Sequence, residues 1–129
     1  MPIASAKEMV KAAKAEIETV PLDEAAGLLG QDNVLFVDIR DPRELDREGR
    51  IPGAFHAPRG MLEFWVSPDS PYHKDIFAQE GTKYIFFCAG AARSALAVKM
   101  LQDMGMENIA ELAGGFGGWR DAGHPVEKT

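Results

Sequence analysis

The sequence contains one cysteine, and its neighbours make it a candidate nucleophile. Cys88 follows Tyr84-Ile85-Phe86-Phe87 and precedes Ala89-Gly90-Ala91-Ala92-Arg93. The first run has the composition of a buried strand, and from Arg93 to about Met104 the residues are strong helix formers. The thiol is therefore expected at the carboxyl end of a strand, facing a helix start, where open α/β sheets bind ligands. Four small residues leave the loop unobstructed, so the N–H groups of residues 89–93 can converge on one point and favour an anion. The sulfur itself can be that anion, because a cysteine at a helix N-terminus beside arginine ionises more readily. Arg93 adds a planar cation suited to a substrate oxyanion. The competing reading is a free cysteine buried as a small hydrophobe. Strand-end position, small-residue loop and Arg93 together favour the nucleophile.

The remaining elements must hold that unit in place. Residues 5–18 read as an amphipathic helix, with Met9, Val10, Ala13 and Ile17 on one face. Lys7, Glu8, Lys11, Lys14 and Glu18 are left for solvent. A second short helix is expected over Leu22–Leu29, stopped by Gly30. Val34-Leu35-Phe36-Val37 suits a strand buried on both faces. Asp41-Pro42-Arg43-Glu44 then carries a capping box with proline at the first helical position, and Gly49 ends that helix. A short strand is predicted near Phe55–Ala57, an irregular stretch over 60–80, a strand at Ile109–Leu112 and a last helix near Phe116–Asp121. Gly105 stops the helix that begins at Arg93. Strands alternating with helices imply an α/β sandwich around a mostly parallel sheet.

Composition narrows the function classes. The chain has 129 residues, enough for one domain, with 46% hydrophobic and 26% charged residues, an ordinary globular balance. A net charge of −6 argues against nucleic acid as a partner, since phosphate backbones are gripped by clustered Lys and Arg. No run approaches the roughly 20 apolar residues of a membrane span, and no segment has a signal-peptide core. A cytoplasmic location and no membrane partner are the expectation. One cysteine excludes an internal disulfide and a thiolate-rich metal site. His56, His73 and His124 lack paired ligand spacing, so neither a metal nor an organic cofactor is expected.

In this order the pieces resemble a known family. Val37-Asp38-Ile39-Arg40 is followed by Glu44, then Gly49-Arg50-Ile51-Pro52-Gly53-Ala54 and Pro58. Next come Cys88-Ala89-Gly90-Ala91-Ala92-Arg93-Ser94 and Leu112-Ala113-Gly114-Gly115-Phe116, leading to Trp119, Gly123 and Pro125. The set is similar to single-domain rhodanese-like sulfurtransferases, over about Val20 to Val126. The resemblance implies a doubly wound, mostly parallel α/β sheet flanked by helices on both faces. It divides the chain into an N-terminal helical extension, residues 1–19, and a rhodanese-like domain, residues 20–129. It also implies that Cys88 carries sulfane sulfur as a persulfide, taken from an anionic donor such as thiosulfate or another persulfide. The acceptor would be a small-molecule or protein thiol. The loop spans six residues from Cys88 to Arg93, the length associated with sulfur transfer, whereas related cell-cycle phosphatases use one more. A non-catalytic binding or sensor module and a Cys-dependent phosphatase are the alternatives.

Two departures from the family pattern matter. The family often has glycine three residues after the cysteine, where Ala91 stands here, so a positive φ at that position would be strained. Arg50 replaces a frequent histidine. Among other candidates, Gly114-Gly115-Phe116-Gly117-Gly118 is expected to be a structural turn, because it lacks the Lys-Ser/Thr of a phosphate loop. Arg40, Arg43, Arg47 and Arg50, interleaved with acids, suggest a solvated, self-paired face, although Asp38 and Arg40 also fit a structural role at the strand end. Phe64-Trp65 is a candidate wall of the site. The N-terminal helix is an extra packing layer or a candidate homodimer contact.

Overall fold

The computed structural model describes residues 2–128; Met1 and Thr129, the outer ends of the two expected segments, lie outside the described residues. The strands are β1 (Thr19–Val20), β2 (Val34–Asp38), β3 (Phe55–His56), β4 (Lys83–Phe87) and β5 (Ile109–Leu112). The helices are α1 (Ala6–Lys14), α2 (Leu22–Leu28), α3 (Pro42–Glu48), α4 (Leu62–Val66), α5 (Arg93–Met104) and α6 (Gly115–Asp121). All strand pairs are parallel, in the order β1-β5-β4-β2-β3, as a doubly wound sheet requires.

The period of two along β4 explains the layers. Tyr84, Phe86 and Cys88 point into one core with Ala97, Val98 and Leu101 of α5. Ile85 and Phe87 point into the other, with Ala25 of α2 and Phe116 and Trp119 of α6. Helices thus cover both faces, and Cys88 belongs to the α5 face. Along β5 the same alternation separates Ile109 from Ala110 and Leu112. By register Glu111 falls on the α5 side, as does Cys88.

Local signals hold where a side chain enforces them. Asp41 accepts the Arg43 N–H while Glu44 accepts the Asp41 N–H, closing the capping box with Pro42 at the first helical position. Gly105 is left-handed at the end of α5, at φ 103°. The first helix is shorter than its apolar pattern, ending at Lys14, because the chain must turn at Ala15–Glu16 to enter β1. Two-residue β1 carries no readable alternation, and the sequence does not reveal it.

Arg40 departs from the expected solvated face. It is fully buried, whereas Arg43 is exposed. Its guanidinium pairs with Asp38, Nη2 to Oδ2 at 2.8 Å and Nε to Oδ1 at 3.0 Å, and lies 4.0 Å from the Phe116 ring centroid. Nη2 also donates to the Gly49 carbonyl at 2.8 Å, tying the end of β2 to the end of α3. The ion pair brings together β2, α3 and α6, three of the elements around the Cys88 loop. Trp65 likewise serves the core, packing edge-on against Phe55 with the Lys74 ammonium 4.5 Å from its centroid, while Phe64 is exposed.

Removing one partner of such a pair leaves a buried charge without compensation. Arg40→Met should therefore destabilise the fold by about 3–5 kcal/mol, read as a lower urea midpoint. An unchanged midpoint would mean that Asp38 finds another partner.

Candidate active site

Cys88 follows the last residue of β4 and is fully buried, beneath its loop rather than open to solvent. Its sulfur accepts the Ser94 N–H at 3.4 Å, from the first turn of α5, and the Gly90 amide also stabilises it. Sγ lies 3.6 Å from Ser94 Oγ. Burial pushes the thiol up. The Ser94 hydroxyl and amide, the Gly90 amide and the Arg93 charge outweigh that and hold it below the ordinary thiol value.

The loop is shaped from behind. The Phe116 N–H donates to the Cys88 carbonyl at 2.8 Å and the Gly117 N–H to the Ala89 carbonyl at 2.9 Å. A Cβ on Gly115 would stand 2.7 Å from the Cys88 carbonyl oxygen, and its φ is 62°, so glycine is required there. The glycine-rich segment is thus a structural abutment of the loop. Ala91 takes the left-handed conformation at φ 68°, the strained position that its missing glycine suggests. Gly90 is exposed, with open space where its Cβ would be.

Arg93 has a partner that the sequence does not announce. Nη1 and Nη2 meet Glu44 Oε2 and Oε1 at 2.8 and 2.9 Å, a two-pronged pair between α5 and α3. Glu44 therefore caps α3 and fixes the arginine. Arg93 lowers the Glu44 carboxyl to about 2 against the opposing effect of burial, and Glu44 raises the guanidinium further. Glu44 engages two of the five N–H donors, and the guanidinium also interacts with the Cys88 sulfur.

The model of the rhodanese-like domain matches residues 21–122. The chain belongs to the rhodanese-like domain family. A solved Rhodopseudomonas palustris structure, named as a protein of unknown function and possible tyrosine phosphatase, is 51% identical. It matches 98% of this chain and 99% of that one, with a TM-score of 0.91. A protein of Allochromatium vinosum named sulfurtransferase is 30% identical over 99 residues, 77% of this chain and 83% of its own length. An uncharacterised Synechocystis protein is 33% identical over 99 residues, 77% of this chain; the chain covers 50% of that relative.

Within this rhodanese-like domain, Cys88, Ala89, Gly90, Ala91, Ala92 and Arg93 form one loop, with Ala91 buried and Ala92 exposed. Three further residues extend the site inward. Ser94 bridges Cys88 and Glu111, its Oγ 2.8 Å from Oε2, and Lys14 Nζ lies 2.6 Å from Oε1. Lys14 stays partly exposed on α1, as its pattern predicts, with its side chain 39% accessible, yet its ammonium reaches a fully buried carboxylate. The readable signal was a lone acid inside the apolar run Ile109-Ala110-Glu111-Leu112. His56 Nε2 donates to the Arg40 carbonyl, 2.7 Å away, and His124 packs on Trp119. Among the described residues no cluster of three metal-ligating side chains occurs.

A carboxyl lowered by folding stabilises the native state above its unfolded value, and that stability is lost as pH falls. For Glu44 the window runs from its ordinary 4.5 down to about 2. Arg93 is about one-third exposed, so solvent screening reduces the effect to about 1–2 kcal/mol. Glu44→Gln should lower stability at neutral pH by that amount and flatten its decline below pH 4.5, measured by urea titration across pH.

Proposed function

We propose that this protein is a sulfurtransferase in which the Cys88 thiolate accepts sulfane sulfur. The observation that carries the reading is the setting of the sulfur, which receives the Ser94 N–H at the start of α5 while Glu44 holds Arg93 beside it. The sulfurtransferase name of the Allochromatium vinosum relative supports the same chemistry. An anionic donor such as thiosulfate approaches the loop at Gly90, the exposed residue near the buried Cys88 with open space where a Cβ would be. The thiolate attacks the donor's outer sulfur; a new S–S bond forms, the donor's S–S bond breaks, and sulfite leaves with the electron pair. Amides of the Cys88 loop hold the persulfide, and Arg93 orients the donor oxyanion. An external thiophile, cyanide in an assay or a thiol, then takes the outer sulfur and restores the thiolate. With one cysteine in the chain, that acceptor comes from outside it.

The Rhodopseudomonas palustris neighbour, named a possible tyrosine phosphatase, favours a second reading on the same Cys88 and Arg93. Sulfur transfer is preferred because only four residues separate Cys88 from Arg93, which keeps the loop tight. That leaves a cradle for a sulfur atom rather than a phosphoryl group.

Whole-protein mass spectrometry decides between them. Incubation with thiosulfate should add about 32 Da, reversed by cyanide and absent in Cys88→Ser. Arg93→Lys should raise KM for thiosulfate more than it lowers kcat, because the charge remains and the planar fork is lost. No mass gain with any sulfane donor, together with Cys88-dependent hydrolysis of a phosphate monoester, would reverse the ranking.

A further inference from the structure

Ser94 has one hydroxyl proton, and two groups need it. Glu111 Oε2 lies 2.8 Å from Ser94 Oγ, and Cys88 Sγ lies 3.6 Å away on the other side. A carboxylate has no proton to give, so Ser94 donates to Glu111 and turns a lone pair to the sulfur. The thiol S–H then donates to Ser94 Oγ. This arrangement suits the thiol. On ionisation the sulfur needs the same hydroxyl proton, and giving it up leaves a fully buried Glu111 one hydrogen bond poorer. The other carboxylate oxygen makes that exchange tolerable: Oε1 accepts Lys14 Nζ at 2.6 Å and Thr19 Oγ1 at 3.3 Å.

We propose that Lys14 is a positioning residue for Cys88: as counter-ion to Glu111, it lets Ser94 turn its hydroxyl proton to the thiolate. The N-terminal helix then belongs to the site, although the family match begins only at residue 21. The other charged groups around the loop are fixed in their own pairs. Arg93 from α5 is held by Glu44 of α3, Arg40 by Asp38 at the end of β2, and Arg120 of α6 by Glu48 and Asp121. They form a constant background when residue 14 or 111 is changed. The proposal rests on Cys88 as the nucleophile and on no particular sulfur donor.

Because Cys88 is the one cysteine, its ionisation can be followed by thiolate ultraviolet absorbance against pH, with Cys88→Ser as the blank. Lys14→Met removes the ammonium and should raise the Cys88 midpoint by about one pH unit, tenfold less thiolate below it. Lys14→Arg should restore most of the wild-type midpoint. Glu111→Gln should lower the midpoint, because its amide donates to Ser94 Oγ and frees the hydroxyl proton for the sulfur. Adding Lys14→Met to Glu111→Gln should then shift nothing further. A wild-type midpoint in Lys14→Met, or shifts of the same sign in both single variants, would overturn the proposal and leave Lys14 as a helix-docking residue. If Lys14→Met does not fold, Glu111→Gln decides alone, an unchanged or raised midpoint being fatal. No sulfur donor enters the titration, so failed sulfur loading with these shifts intact would count against the proposed function only.

Discussion

The site depends on two stretches of backbone lying closer together than side chains permit. The start of α6 presses on the loop after β4, with N–H groups of Phe116 and Gly117 holding the carbonyls of Cys88 and Ala89. Those carbonyls face away from the loop's interior, which leaves amides to serve the sulfur. Gly115 is the condition for this contact, since any Cβ would overlap two carbonyl oxygens. The strain at Ala91 follows from the same demand, because the loop must curl within four residues to begin α5 at Arg93.

Charge is arranged around that backbone in paired layers. Asp38 and Arg40 close off the end of β2 and reach α3 and α6. Glu44 and Arg93 join α3 to α5. A buried pair such as Asp38 and Arg40 contributes more to fixing geometry than to net stability, since desolvation offsets much of the attraction. The Glu44 and Arg93 pair is partly open to solvent. Their benefit here is placement: each joins elements that the sheet alone would leave free to slide. The cysteine is thus held by polar contacts on several sides while its strand lies in an apolar core.

The elements were largely legible because their signals are local. The capping box at Asp41, the buried runs of β2 and β4, and the glycine after α5 each act through neighbours in sequence. The cysteine loop was legible for the same reason. Partnerships across the fold were not. Arg40 looks like its exposed neighbour Arg43 until Phe116 and Asp38 enclose it, and Glu44 reads as a cap before Arg93 arrives from 49 residues away. Lys14 and Glu111 meet from 97 residues apart, and no periodicity records such a meeting.

The pairing of β1 with β5 also bears on how the molecule is assembled. Thr19 lies opposite Glu111 and Val20 opposite Leu112, so the first strand docks on the last. Contacts of such sequence separation form late and slowly, after the loop-closure entropy of the whole intervening chain has been overcome. On a ribosome, the cysteine and its loop emerge before their abutting glycine and before the acid that Ser94 contacts. A nascent or truncated chain therefore carries the thiol without the contacts that shape it. The contacts that shape the loop are complete only once β5 and the start of α6 have docked against it.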